Sequence, residues 1–127
     1  MRAIVWRGGA EFAAEEHPDP EAGPGETVVK VDTAAVCGTD VHITQGLFPA
    51  TPPRILGHEF SGTIVAVGPG VSPERIGQQV ACDHTSHCGE CANCREWQVG
   101  RCLHGVPSSG AYAEYAVVPD QSAHRLP

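Results

Sequence analysis

The chain has 127 residues, a length that suits one domain burying roughly two-thirds of its unfolded surface. Hydrophobic residues make up 41% and charged residues 18%, which indicates a folded globular chain rather than a disordered one. The net charge of -7 argues against nucleic acid or an anionic membrane as a partner. The apolar run Ala3–Trp6 is too short for a signal segment, and no span approaches transmembrane length, so we expect a cytoplasmic protein.

Short β-strands separated by turns are predicted along most of the chain. Glycine and proline number 15 and 11, a density that favours turns over long helices. Segments rich in turn-forming residues lie between the strand-like runs, at His17–Gly25, Pro49–Arg54, Gly68–Pro73 and Pro119–Ser122. The pattern predicts an all-β barrel or sandwich. Its strands are predicted at Ala3–Arg7, Thr27–Asp32, Gly62–Val67, Gln79–Cys82 and Tyr112–Val118.

Two short helices are also predicted. One covers Thr39–Gln45 and ends at Gly46, and the other covers Cys91–Val99. The turns Gly23–Gly25 and Gly68–Gly70 resemble the start of a dinucleotide-binding fingerprint, but neither precedes a helical pattern. A phosphate cradle needs a helix N-terminus, so both are interpreted as simple turns.

Four cysteines form the strongest motif, with the spacing C-x2-C-x2-C-x7-C at Cys88, Cys91, Cys94 and Cys102. Thiolates at this spacing can surround one ion and complete a closed tetrahedral zinc site. In a reducing compartment, metal ligands are a better interpretation than disulfides. Because protein fills every position, such a zinc would stabilise a loop and leave no room for substrate.

Other interpretations of this cluster are an iron–sulfur centre, disulfides or incidental cysteines. Ferredoxin-type motifs place a proline after the last cysteine, where this chain has Leu103. His84, His87 and His104 are alternative ligands, but with four suitably spaced cysteines present, surface loop histidines are the favoured interpretation.

A second group of chemically capable residues precedes the cluster. A thiol, an imidazole and adjacent carboxylates can form an open zinc site. Taken singly, Cys37 is more typical of a small core residue and His58 of a hydrogen-bonded loop histidine. Their joint occurrence favours the metal site, and the group comprises Cys37, Thr39, Asp40, His42, His58 and Glu59.

Four further residues are predicted from their local context. Cys82 lies in an apolar strand and is expected in the core. Leu47 and Phe48 are explained equally by a substrate pocket and by buried packing. Trp97 is expected to be a packing anchor.

These motifs together resemble those of a known enzyme family. Gly57-His58-Glu59 followed by Gly62, Gly68 and Val71 resembles the zinc alcohol dehydrogenase signature, and Cys37–His42 resembles the first-ligand loop of the same family. The chain is therefore identified as a member of the zinc-dependent medium-chain alcohol/polyol dehydrogenases over nearly its whole length. The resemblance implies a mainly β, GroES-like β-barrel spanning residues 1–127, with short helices and a structural zinc lobe within residues 84–104.

The resemblance also implies roles for individual residues. Cys37 and His58 would bind the catalytic zinc, with Glu59 as a ligand or a nearby carboxylate that exchanges with water. Asp40 would orient His58. Thr39 would hydrogen-bond the substrate oxygen and His42 would pass the released proton to solvent. Cys88, Cys91, Cys94 and Cys102 would hold the structural zinc.

By the same resemblance, the chain is expected to be an incomplete catalytic domain. It stops at Pro127, where complete enzymes continue into a Rossmann domain that binds NAD or NADP. The chain alone is expected to be inactive, and the complete enzyme to be a homo-oligomer acting on a small alcohol or polyol. Gly38 and Glu59 favour the polyol, threonine or secondary-alcohol branches.

Two rival functions are weighed against this one. The first is a stand-alone zinc-binding scaffold that resembles a co-chaperonin, and the second is a zinc-free quinone reductase. Neither requires the set of polar residues between Cys37 and Glu59, so that set favours the zinc dehydrogenase.

Overall fold

Two antiparallel sheets form the framework of the chain in a computed structural model that describes residues 1–127. The first sheet has the strand order β2-β1-β4 and the second the order β7-β3-β5-β6-β8. Two short α-helices and three 3-10 turns connect them. The strands are β1 (Arg2–Gly8), β2 (Glu11–Glu16), β3 (Glu26–Ala35), β4 (Arg54–Ile55), β5 (Glu59–Val67), β6 (Gln79–Cys82), β7 (Tyr115–Pro119) and β8 (Ala123–Arg125). The helices are α1 (Gly38–Thr44) and α2 (Ala92–Arg95), with 3-10 turns at Pro73–Arg75, Val99–Arg101 and Asp120–Ser122.

The main core lies on one face of the five-stranded sheet. Buried residues alternate with more exposed ones along β5 and β7, and Val80 is the buried residue of β6, as expected for strands with one buried face. Burial of this apolar face favours folding. The fully buried members from four strands are Val29, Ile64, Val80 and Val118.

The mainly β class predicted from the sequence is confirmed. All five predicted strands are present, and β6 has the predicted bounds. Three strands were not predicted: β2, β4 and β8. The sequence of β2 is rich in alanine and glutamate, which have low β-propensity, and it becomes a strand because it pairs with β1 along its length.

The two helices were predicted with different success. Helix α1 begins and ends within one residue of the prediction, and Gly46 follows it with a positive φ of 72°. Helix α2 is much shorter than predicted and ends before Trp97, which has a φ of 59°. That conformation cannot continue a right-handed helix.

The prediction that Trp97 anchors packing is wrong. Its side chain is 89% exposed, so it packs against little of the chain, and its backbone has the positive φ noted above.

Neither glycine turn leads into an α-helix. Gly25 precedes strand β3, and Gly70 precedes a 3-10 turn of three residues. The interpretation of both as simple turns is confirmed. None of the helices has the length and apolarity needed to cross a bilayer.

Gly57 lies between strands β4 and β5, next to His58. Its φ is 90°, and a Cβ there would lie 2.7 Å from Cδ1 of Tyr112. The carbonyl of Gly57 accepts hydrogen bonds from the N–H groups of Gly110 and Ala111, at 3.0 and 3.2 Å. Glycine is therefore required here both for its conformation and for the close approach of the Tyr112 ring.

Replacing Gly57 with alanine is expected to destabilise the fold more than the same change at Gly70. Both glycines have a positive φ, but nothing lies near the Cβ position of Gly70. The loss in free energy of unfolding should therefore be about 1–3 kcal/mol larger for Gly57→Ala than for Gly70→Ala, and this extra loss reports the contact with Tyr112. Urea denaturation of both variants measures it. Equal losses would show that Tyr112 moves aside without cost.

Candidate metal centres

The four cysteines of the sequence motif converge in space. The sulfur atoms of Cys88, Cys91, Cys94 and Cys102 all lie within 4.8 Å of one another. The Cys88–Cys94 and Cys91–Cys102 sulfur pairs are each 4.0 Å apart. Sulfurs bound to one tetrahedral zinc at about 2.3 Å are separated by about 3.8 Å, so this arrangement fits a zinc ion with little adjustment.

Local structure explains this convergence. Cys91 is the N-cap residue immediately before helix α2, and Cys94 lies within its single turn. The N–H of Cys91 donates to Cys88 Sγ at 3.3 Å, and the N–H of Cys88 donates to Cys102 Sγ at 3.2 Å. These donors stabilise negative charge on sulfur before any metal binds.

The thiols of the cluster are electrostatically unequal. A hydrogen bond from the backbone of Leu103 lowers the pKa of Cys91 to about 6, and one from Cys88 lowers the pKa of Cys102. Burial raises the pKa of Cys94 to about 12. Without a cation, the cluster therefore cannot hold four thiolates at neutral pH. A soft divalent cation supplies the missing charge, so the donor set fits zinc.

The neighbouring histidines lie outside the convergent sulfur group. His84, His87 and His104 are absent from both sets of converging ligand atoms. His84 is largely exposed, and its Nδ1 lies 2.9 Å from an oxygen of Asp83. The structure thus agrees with their interpretation as loop histidines.

A second convergent group consists of Cys37, His58 and Glu59. Their ligand atoms also lie within 4.8 Å of one another. Cys37 immediately precedes α1, and His58 immediately precedes β5, of which Glu59 is the first residue. The register of the β3–β5 pair places Ala35 opposite Glu59, which brings the end of β3 beside the second segment.

Asp40 is positioned to orient both Cys37 and His58. Its carboxylate is 5% exposed and accepts hydrogen bonds from the Cys37 N–H at 3.0 Å and the Tyr112 hydroxyl at 2.8 Å, both on Oδ2. The other oxygen, Oδ1, is buried without a hydrogen-bond partner and lies 3.6 Å from His58 Nδ1. A small movement of the ring would complete that bond and leave Nε2 free for a metal, which is the usual pairing behind a metal-bound histidine.

Tyr112 was not identified as a site residue from the sequence. Burial, together with its hydrogen bond to Asp40, raises the pKa of Tyr112 above its ordinary value, so it remains a donor at neutral pH. No local motif marks it, since it reaches Asp40 across 72 residues of chain.

A cleft of about 560 Å³, here called the Thr39 cleft, opens beside the second group. Phe48 lines it and is half exposed, which excludes buried packing for this residue, whereas Leu47 is exposed and does not line it. Thr39 Oγ1 lies 3.7 Å from Cys37 Sγ. His42 is exposed on α1 and contacts none of the three converging ligands through a hydrogen bond. The lining also includes Asp40, Leu56, His58 and His84.

Cys82 lies apart from both groups. It packs against the core cluster, and burial raises the pKa of its thiol to about 12. The prediction of a core residue is confirmed.

Comparison with known proteins agrees with this architecture. The chain matches the alcohol dehydrogenase GroES-like domain over residues 23–127. It is 37% identical to a sorbitol dehydrogenase of Halalkalibacterium halodurans, covering 100% of this chain and 39% of that protein.

Solved structures give the same result. The alcohol dehydrogenase rspB of Escherichia coli CFT073, complexed with NADH, matches with a TM-score of 0.90 and 37% identity over 100% of this chain and 38% of that one. A candidate zinc-binding dehydrogenase of Sinorhizobium meliloti 1021, bound to NADP, matches with a TM-score of 0.86 and 34% identity over 99% and 38%. The chain thus spans well under half the length of these relatives. It belongs to the alcohol dehydrogenase GroES-like domain family, among the medium-chain alcohol and polyol dehydrogenases.

Proposed function

We propose that this chain is the zinc-carrying part of a dehydrogenase that oxidises a secondary alcohol or polyol by hydride transfer to NAD or NADP. The observation that carries the proposal is the convergence of Cys37, His58 and Glu59 beside the Thr39 cleft, which His58 itself lines. The names of the relatives support it, since one is a sorbitol dehydrogenase and two solved neighbours hold NADH or NADP.

In this proposal the two groups hold zinc for different purposes. Cys37, His58 and Glu59 hold a catalytic zinc in an open site, whereas the four cysteines hold a closed structural one. A catalytic zinc supplies Lewis acidity to an alcohol oxygen. The reduced thiols suit a reducing compartment such as the cytoplasm.

The residues around Cys37, His58 and Glu59 position the substrate and move its proton. Asp40 orients His58 through Nδ1. Thr39 Oγ1 can accept a hydrogen bond from a substrate hydroxyl while donating its own proton onward, because a hydroxyl is both donor and acceptor. His42 follows Thr39 by three residues on α1, a spacing that places side chains on neighbouring positions of a helix surface, and it is exposed to solvent. It is therefore the proposed exit for the proton.

The nicotinamide cofactor requires residues beyond this set. Neither glycine turn in these residues leads into an α-helix that could hold a pyrophosphate. We therefore expect residues 1–127 alone not to reduce NAD or NADP, and the complete protein, which we propose carries a Rossmann domain, to do so.

Replacing Thr39 with alanine in the complete protein is expected to slow alcohol oxidation by about 10²–10⁴-fold, because a proton-transfer group is lost. Zinc content should not change. The assay is reduction of NAD and NADP with a panel of secondary alcohols and polyols.

Thr44→Ala is the matched control. Thr44 lies on the same helix, where its hydroxyl donates to the Val41 carbonyl at 2.8 Å, and it does not line the Thr39 cleft. Its activity should be close to that of the unaltered enzyme. A complete protein that binds zinc at Cys37 but oxidises none of the alcohols would favour the scaffold function instead.

A further inference from the structure

Among the polar residues of the Thr39 cleft that the proposed reaction does not use, two are the basis of this inference. Besides the residues near the zinc ligands, Arg54 and Ser108 line it. They come from distant parts of the chain. Arg54 lies on the short strand β4, and Ser108 lies in the loop between Cys102 and β7. Their presence in one cleft gives it a cationic and hydrogen-bonding portion.

Arg54 is free to bind an anion. The arginines that form ion pairs in this chain are Arg2, Arg7 and Arg75, and Arg54 is not among them. Residues 54, 56 and 58 all line the cleft, whereas residues 55 and 57 do not, so this segment presents alternate side chains to it. Arg54 therefore shares the cleft with His58. Their Cα atoms are at most about 13 Å apart, the length of four extended residues.

Ser108 is buried with an unsatisfied hydroxyl. It is 2% exposed, and its Oγ has no hydrogen-bond partner. Its backbone is fixed, since its N–H donates to the His84 carbonyl at 2.9 Å and the adjacent Pro107 forms a β-bridge with Thr85. A buried hydroxyl without a partner is unfavourable, and rotation of the Ser108 side chain towards the cleft would let a ligand oxygen satisfy it.

One acidic side chain also lines the cleft and must be considered. Asp40 accepts hydrogen bonds from Cys37 and Tyr112 and faces His58, so its charge is already engaged. It therefore does not neutralise Arg54.

We propose that Arg54 and Ser108 form a subsite for an anionic group, a carboxylate or a phosphate, on the alcohol substrate. The inference rests on the proposed dehydrogenase function and specifies its substrate class. A guanidinium presents paired donors that match either anion, and a serine hydroxyl adds one more. Arg54 and His58 are different positions of the cleft, so the anionic group and the oxidised carbon lie on different parts of the substrate. The substrate class is thus an acidic or phosphorylated polyol.

The test compares three probes with the same six-carbon framework: sorbitol, gluconate and sorbitol 6-phosphate. Each is titrated into the zinc-loaded chain, and dissociation constants are measured from amide chemical shifts. We expect an anionic probe to bind about 10–100-fold more tightly than sorbitol, the usual size of hydrogen bonds to a charged group. The tighter of the two anions identifies the group. Equal binding of all three probes, or no binding, would overturn the inference.

Arg54→Gln should abolish the preference for the anionic probes. Arg125→Gln is the matched control, because Arg125 is an exposed arginine on β8 outside the cleft, and this variant should retain the preference. A preference that survives in Arg54→Gln would assign it to another cation and overturn the subsite.

Ser108→Ala separates a binding role from a structural one. We expect it to weaken binding of the preferred anion about threefold to tenfold while leaving the thermal midpoint unchanged or higher, because an unsatisfied hydroxyl is removed. A lower midpoint with unchanged binding would contradict the role of Ser108.

The zinc content of His58→Ala distinguishes a failure of this inference from a failure of the proposed function on which it rests. If His58→Ala lowers zinc content but the unaltered chain shows no preference for anions, only the subsite fails. If His58→Ala leaves zinc content unchanged, the proposed catalytic site fails, whether or not the anionic probes bind more tightly than sorbitol.

Discussion

Replacing Cys94 with serine is expected to release the tightly held zinc and to disorder the segment from Cys88 to Cys102, while both sheets remain folded. The segment has a four-residue helix and one 3-10 turn, and it contributes no residue to the main core cluster. We therefore expect this segment to depend on a bound metal for its order. Structural zinc contributes on the order of 10 kcal/mol in small zinc peptides, so the loss of one ligand has a large effect.

Limited proteolysis with mapping of the cleavage sites measures this effect. Cuts should appear between residues 88 and 102 in Cys94→Ser and be rare in the unaltered chain. Cys82→Ala is the matched control, because Cys82 packs against the core outside the cluster and its loss should not expose the segment. Identical cleavage of Cys94→Ser and the unaltered chain would contradict a metal-dependent segment.

Replacing His58 with alanine in the complete protein is expected to reduce kcat/KM for alcohol oxidation by roughly 10³-fold or more. The substitution removes one of three converging ligands, and a catalytic metal contributes several kcal/mol to the barrier. Asp40→Asn should give a smaller loss of about 10–100-fold, because Asp40 acts through the orientation of His58.

His124→Ala is the control for this series. His124 is exposed on β8 and belongs to neither convergent group, so its loss should leave activity close to that of the unaltered enzyme. Nearly full activity in His58→Ala, with zinc retained, would show that His58 is not a ligand. Equal losses in Asp40→Asn and His58→Ala would instead indicate that Asp40 contacts the reacting atoms.

The sequence was informative where residue chemistry and spacing suffice. The four-cysteine motif predicts a local cluster, because its members are close along the chain, and the structure brings their sulfurs together. Cys37 and His58 converge as the family resemblance implied, although 20 intervening residues separate them in the sequence. Their roles as zinc ligands remain predictions.

The rest depends on tertiary contacts that leave no local pattern. Tyr112 reaches Asp40 only because the segment before β7 returns to Leu56 and Gly57. Ser108 and Arg54 both line the Thr39 cleft although they lie far apart in the sequence. Trp97 is not a packing anchor, since it is 89% exposed at a residue with a positive φ, and aromatic character alone does not reveal backbone conformation.

Zinc-edge X-ray absorption on the chain, recorded as zinc is added, tests most directly the claim that it carries one closed and one open zinc site. The first equivalent should give a shell of four sulfurs at about 2.3 Å. The second should add nitrogen or oxygen scattering at about 2.0–2.1 Å, which His58→Ala should lack. A first equivalent bound by histidine nitrogen, or a chain that binds no zinc because its thiols are paired as disulfides, would contradict the two-site account.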